Sequence, residues 1–141
     1  MLGAVGVSLG TRFVASEEWG GGAWEQQAVL AADTDDTIRT SVYDHVRRAN
    51  FPADIADRVL RNRFNTTWDS RTRAINDHRA ELQRELEIGA EAHDTDVADI
   101  SAGMAVGLIR SLEPAGVIVQ RNVTEAEEVL RQRSAAVLRS A

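Results

Sequence analysis

The sequence predicts an α/β fold, and three of its features carry that reading. An apolar, glycine-containing run near the start fits a strand buried on both faces. Two β-branched segments further on can pair, and two later stretches repeat apolar residues at helical spacing.

Residues 3–14 read Gly-Ala-Val-Gly-Val-Ser-Leu-Gly-Thr-Arg-Phe-Val, apolar on both faces up to Ser8 and free of acids. A half-exposed strand alternates apolar with polar residues, so this run suits a strand in a parallel sheet covered by helices. Such a strand needs parallel neighbours, each reached by a crossover of about a dozen residues or more. Nothing precedes the run that could supply them, so the expectation is a chain that enters in the middle of a fold.

Gly20-Gly21-Gly22 then breaks the chain before a helical stretch from Ala23 through Gln27 and Leu30 to Ala32. Asp33-Thr34-Asp35-Asp36 is a turn or helix stop, because these side chains bond their own backbone. Thr37 to Val46 is β-branched and partly alternating at Ile38, Thr40 and Val42, and Arg58 to Asn62 can pair with it. Between them Asn50-Phe51-Pro52 marks a loop, since proline drives its predecessor out of α geometry. Trp68, Ile75, Leu82 and Leu86 fall on one face of a long helix, with Asn65-Thr66-Thr67 offering N-caps and Gly89 a place to end. The last helix starts near Pro114. It is expected to bury Val117, Ile118, Val123, Val129 and Leu130, leaving Glu125, Glu127 and Glu128 in water.

Composition excludes several function classes. In 141 residues, 22 acids outweigh 16 bases for a formal charge of −6, which argues against a general nucleic-acid binder. All the bases are arginine, and there is no cysteine, so disulfides, thiolate metal sites and a cysteine nucleophile are out. No apolar run approaches the roughly 20 residues that span a membrane, and Met1 to Gly6 lacks the basic start of a signal peptide. A soluble, cytoplasmic protein is the expectation.

The residues show no catalytic group of the chain's own. His45, His78 and His93 have no H-x-x-x-H spacing, so no zinc site is expected. His93 with Asp94 and Asp96 reads as a polar loop or a weak cation site. There is no Gly-x-Ser-x-Gly elbow, and the paired acids Asp35-Asp36 and Glu127-Glu128 are sequence neighbours whose side chains diverge. One segment has a chemical signature: Gly6-Val7-Ser8-Leu9-Gly10-Thr11-Arg12-Phe13. Phosphate needs free backbone N–H groups, glycine lets the backbone approach, and a threonine hydroxyl adds a donor. On the residues alone, a phosphate loop and a glycine that simply ends a strand both stand.

A resemblance adds to this. Gly6 to Phe13, with Val14-Ala15-Ser16-Glu17-Glu18, resembles the Gly-Val-Gln-Met-Gly-Thr-Arg-Phe-x-Ala-Thr-Glu-Glu stretch of the nitronate monooxygenase (2-nitropropane dioxygenase-like) family. Further blocks run from Leu30 to Thr37, from Arg58 to Phe64 and from Ala102 to Arg110, with Pro114-Ala115 opening the final helix. The blocks are collinear and span essentially the whole chain. The family shares its fold with the flavin-dependent enoyl-ACP reductases.

The resemblance implies a C-terminal fragment of an FMN-binding TIM (β/α)₈ barrel plus a mostly helical second domain. Residues 1–32 would hold the last barrel strand, phosphate-binding loop and following helix, 33–110 the second domain, and 111–141 the C-terminal helix. The implied activity is FMN-dependent oxidation of nitronates or nitroalkanes with O₂, without metal. Ser8, Leu9, Gly10 and Thr11 would lie on the cofactor, with Gly10 and Thr11 at its phosphate. Ser8 and Leu9 stand where the family usually has Gln and Met, which puts any contact of the longer Gln side chain in doubt. A whole barrel takes about 250 residues, so the family's catalytic histidine belongs upstream of Met1, and none of the three histidines here takes that role. An N-terminal half or partner chain is therefore expected. Two other readings stand: a flavin-dependent enoyl-ACP or other NAD(P)H-using reductase, and a non-catalytic truncated chain or half of a split enzyme. Trp19-Gly20-Gly21 and Val42-Tyr43-Asp44 resemble the monooxygenase side more closely.

Overall fold

The computed structural model describes residues 6–52 and 54–139, with side chains through residue 132. Short helices surround a two-stranded antiparallel sheet, and a long helix closes the chain. The helices are α1 (Thr11–Val14), α2 (Ala23–Ala31), α3 (Val42–Arg47), α4 (Arg63–Trp68), α5 (Thr72–Asp77), α6 (Arg79–Glu91) and α7 (Ala115–Arg139). Strands β1 (Thr37–Thr40) and β2 (Asp57–Leu60) pair in the register Thr37 to Leu60 and Thr40 to Asp57. Two 3-10 turns, Thr34–Asp36 and Met104–Leu108, complete the set.

The N-terminal strand expected over residues 3–14 is not what the described residues form. Residues 6–9 are exposed and outside any strand, and Thr11–Val14 is helical; residues 3–5 lie outside the described residues. The reason is that a strand exists only with a ladder partner. No strand among the described residues lies beside 6–9.

The hairpin partner was legible, but its extent was not. β1 ends at Thr40, and Val42 to Arg47 turns helical. Val42, Tyr43 and Val46 have the spacing of one helix face, and all three are buried. The Thr40 hydroxyl accepts the Val42 N–H at 3.2 Å, and Arg48, in the left-handed region at φ 55°, ends the turn.

The long helix expected from Trp68 to Gly89 is three helices, broken at Asp69–Arg71 and at His78. Ile75, Leu82 and Leu86 are buried as expected. The N-cap sits three residues upstream of the expected one. Asn62 and Asn65 form a reciprocal capping box, each side chain accepting the other's N–H at 2.9 and 3.1 Å. Gly89 lies inside α6, where a Cβ would come within 2.7 Å of Val97 Cγ1, so it permits a close approach rather than a helix end. The stop comes later, in a Schellman arrangement. His93, at φ 56°, donates its N–H to Ala90 O at 3.2 Å, and Asp94 donates to Gly89 O at 2.8 Å.

Two apolar clusters result. One joins Val42, Tyr43, Val46, Val59, Phe64, Ile75, Leu82, Leu86 and Val97. The other joins Val14, Ala15, Val29, Ala32, Ile100, Ala102, Val106 and Ile109, so the segment after residue 100 packs back on α1 and α2. Helix α7 starts after Pro114, where Glu18 Oε2 accepts the Ala115 N–H at 2.7 Å. Of its five residues expected inside, Ile118 is buried, while Val117, Val123, Val129 and Leu130 remain about half exposed. The apolar pattern was right; the described residues supply nothing to cover it.

Candidate functional site

The second cluster carries a cleft on its surface. It has a volume of about 330 Å³ and is lined by Ser8 to Arg12, by Gly103, Ala105, Leu108 and Ile109, and by Arg121 and Asn122 of α7. All four residues expected on the cofactor, Ser8, Leu9, Gly10 and Thr11, therefore lie along it. The Ala102–Ile109 segment, matched in sequence but given no role, forms the opposite wall.

The Thr11 side chain joins the two walls. Its Oγ1 accepts the N–H of Gly103 at 2.8 Å across 92 positions of sequence. A hydroxyl that accepts in this way keeps its own proton to donate. Gly10 leads directly into α1, and its carbonyl takes the Phe13 N–H at 2.8 Å. The N–H groups of Gly10, Thr11 and Arg12 have no partner among the described residues, and the space beside Gly10 is open. A loop with unpaired N–H groups beside a hydroxyl donor suits an anion.

Charge at the cleft is fixed by a three-residue link. Glu113 takes Arg12 at 3.1 Å on one oxygen and Arg121 at 2.5 Å on the other, so two cations face one anion. The Ser111 hydroxyl, donating at 2.6 Å, and then the two guanidiniums hold the Glu113 carboxyl below the usual carboxylate range. Because the folded state lowers this acid's pKa, the link is intact at neutral pH and is lost only as pH falls below the ordinary carboxylate range. Arg12 also donates to Ala15 O at 2.8 Å, which orients the loop from its far side.

Gly107 sets the other wall. A Cβ there would meet Thr34 Oγ1 at 2.3 Å, Asp33 Oδ1 at 2.6 Å and the Thr34 backbone N at 2.6 Å. Side chains can turn aside, but the backbone atom cannot. Gly107→Ala is expected to push the Met104–Leu108 turn away from Thr34–Asp36 and to cost about 1–3 kcal/mol, the usual range for overpacking. Thermal unfolding, with amide shifts at Gly103 as a reporter of the cleft wall, checks this.

The histidines stand apart from the cleft. His78 contacts Glu81 at 3.2 Å on the surface, and the His93 ring stacks on Trp24 with centroids 5.3 Å apart. The acids beside His93 have structural work, since Asp94 Oδ1 accepts the Asp96 N–H at 2.9 Å. Among the described residues no cluster of three His, Cys, Asp or Glu side chains could hold a metal ion. No helix of the described residues is long and apolar enough to cross a membrane. Sequence reasoning missed Arg12, Glu113 and Arg121. Arg12 pairs with Glu113 across 101 positions and Glu113 with Arg121 across eight, and no local motif reveals either pairing.

No family model matches the chain. It is 34% identical over 142 residues to a protein named nitronate monooxygenase npaC from Metarhizium robertsii, a match covering 92% of this chain and 37% of that protein. It is 29% identical over 136 residues to a nitronate monooxygenase from Neurospora crassa, covering 93% of this chain and 34% of the relative. The chain thus spans about a third of the length of these curated relatives. Among solved structures, FabK from Thermotoga maritima superposes with a TM-score of 0.69 at 23% identity, over 89% of this chain and 38% of that one. Its M276A mutant gives 0.60 at 24% identity. These structural likenesses establish the shared fold of the matched part. The sequence matches go further: over nearly its whole length the chain is similar to the C-terminal part of proteins named nitronate monooxygenase.

Proposed function

We propose that this chain supplies the cofactor-phosphate corner of an FMN-dependent oxidoreductase of the nitronate monooxygenase type. The observation that carries the reading is the cleft that unites Ser8, Leu9, Gly10 and Thr11 with Gly103 and Arg121. Its chemistry fits a phosphate: unpaired backbone N–H groups, a hydroxyl whose proton is free, and a local excess of arginine. Gly10 and Thr11 would hold the phosphate oxygens, and Arg121 would balance their charge from α7. Ser8 and Leu9 would line the approach.

The flavin, when bound, supplies the redox chemistry by which a nitronate or nitroalkane is oxidised with O₂. This chain's residues bind and orient it; none of the three histidines lines the cleft, so the base comes from elsewhere. In the same reading residues 33–110 are the smaller second domain of a TIM-barrel enzyme. The relatives above 25% identity both carry the nitronate monooxygenase name, which favours this substrate class over NAD(P)H-using reductases.

Thr11→Ala removes the hydroxyl without touching either apolar cluster. It is expected to weaken FMN binding by about 1–3 kcal/mol, the loss of a hydrogen bond to a charged group. Isothermal titration of FMN checks it. Unchanged affinity would place the phosphate elsewhere.

A further inference from the structure

Glu113 does not line the cleft, yet it is tied to the segments around it. Its carbonyl accepts the Glu17 N–H at 3.1 Å, in the parallel bridge between Ser16 and Glu113. One carboxylate oxygen accepts from the Ser111 hydroxyl at 2.6 Å and from Arg12 at 3.1 Å. Arg12 is itself fixed, since another of its guanidinium nitrogens donates to Ala15 O at 2.8 Å and its side chain is only 16% exposed. The second oxygen is left for Arg121 of α7, at 2.5 Å. Arg121 is 45% exposed and has no other ion-pair partner among the described residues. A carboxylate anchored on the loop side thus holds the one arginine of the cleft that is otherwise free to move.

We infer that Glu113 is a positioning residue: it holds the Arg121 guanidinium at the cleft, where that group meets the phosphate of the bound flavin. The inference rests on the phosphate reading of the cleft given above. Charge alone and positioning predict opposite signs. Removing an anion that faces two guanidiniums raises the positive potential of the cleft, which by Coulomb's law tightens the binding of an anion. Positioning predicts a loss. Glutamine in place of Glu113 offers an oxygen to one arginine and an NH2 to the other, so a donor faces a donor. Arg12 keeps its bond to Ala15 O, and Arg121 is the group released. A released arginine must be ordered again each time phosphate binds, which costs the rotamer freedom of a long side chain. Positioning wins because the link is partly exposed, so that solvent and salt screen the carboxylate's field at the cleft.

The test titrates FMN into the 141-residue chain at fixed pH and ionic strength, reading flavin fluorescence, with riboflavin as the phosphate-free control. Glu113→Gln is expected to weaken FMN binding about tenfold, the lower end for a hydrogen bond to a charged group, and to leave riboflavin unaffected. Arg121→Gln, at a half-exposed position, should weaken FMN binding as much. Adding Glu113→Gln to it should cost no more, because both act through one group. Glu127→Gln removes the same charge from the exposed Glu127–Arg131 pair of α7 and should leave affinity within about twofold. The Arg121 Nε–Hε cross-peak reports position directly: it should be visible in the native chain and lost to solvent exchange in Glu113→Gln. FMN affinity unchanged or tighter in Glu113→Gln, or an equal weakening of riboflavin, would overturn the inference. Thr11→Ala separates it from the reading it rests on. If Thr11→Ala weakens FMN binding and Glu113→Gln does not, the phosphate site stands and the positioning role falls. If Thr11→Ala, Glu113→Gln and Arg121→Gln all leave FMN affinity unchanged, the phosphate reading falls and the positioning role with it.

Discussion

Phe64→Ala is expected to lower the free energy of unfolding by about 3–5 kcal/mol, the range for truncating a fully buried aromatic side chain. Phe64 has no exposed surface and sits in the cluster that joins α3, β2, α5 and α6. Its ring stacks on Tyr43 with centroids 5.6 Å apart, and its N–H donates to Asp96 O at 3.0 Å, pinning the loop after α6. Alanine keeps that backbone bond and loses the ring, so the cost is a cavity between helices that cannot collapse onto one another. Urea unfolding should show a lower midpoint at an unchanged slope. A loss below about 1 kcal/mol would mean that this cluster is not packed to the density of an ordinary core.

The second large effect is at a polar residue. Asn65 is as fully buried as Phe64. Its Oδ1 accepts the Asn62 N–H at 3.1 Å, while its Nδ2 donates to Leu60 O at 2.8 Å and to the Tyr43 hydroxyl at 3.4 Å. The same Tyr43 hydroxyl takes a hydrogen bond from Asn62 at 3.1 Å, and burial pushes the Tyr43 phenol up from its ordinary value. Asn65→Leu keeps the branched shape of the side chain but strips the acceptor for the Asn62 N–H, one half of the capping box of α4, and the donor to β2. The expected loss is about 3 kcal/mol, because buried groups left unpaired cost their full desolvation. Denaturant unfolding beside Phe64→Ala separates a packing loss from a polar one. Near-neutral stability would show that water satisfies these groups.

How much of this was legible in the sequence depends on range. The pairing of Thr37–Thr40 with β2, the turn at Asp33–Asp36, helix α2 and the buried positions Ile75, Leu82 and Leu86 follow from local periodicity and turn chemistry, and they stand where expected. Helix breaks were harder. Apolar spacing runs straight through Asp69–Arg71, and the Schellman stop at His93 uses a residue with no glycine signal. Val42 to Val46 suited both a strand and a helix face, and only packing against α5 and α6 decides. The apolar face of α7 was read correctly as a face and wrongly as buried, since periodicity says which side is apolar and not what covers it. At the site, Gly10 and Thr11 were visible as a motif. The Thr11–Gly103 bond and the Arg12–Glu113–Arg121 link were not, because they are built by the fold across most of the chain.

The central claim is that the cleft beside Gly10 and Thr11 recognises the phosphate of a flavin. The most direct test is a titration of the ¹⁵N-labelled chain with FMN and, in parallel, with riboflavin, which has the same ring and no phosphate. Saturable amide shifts at Gly10, Thr11, Arg12 and Gly103 with FMN, absent with riboflavin, are the predicted result. Equal shifts with both, or none at these four amides with millimolar FMN, would contradict the claim.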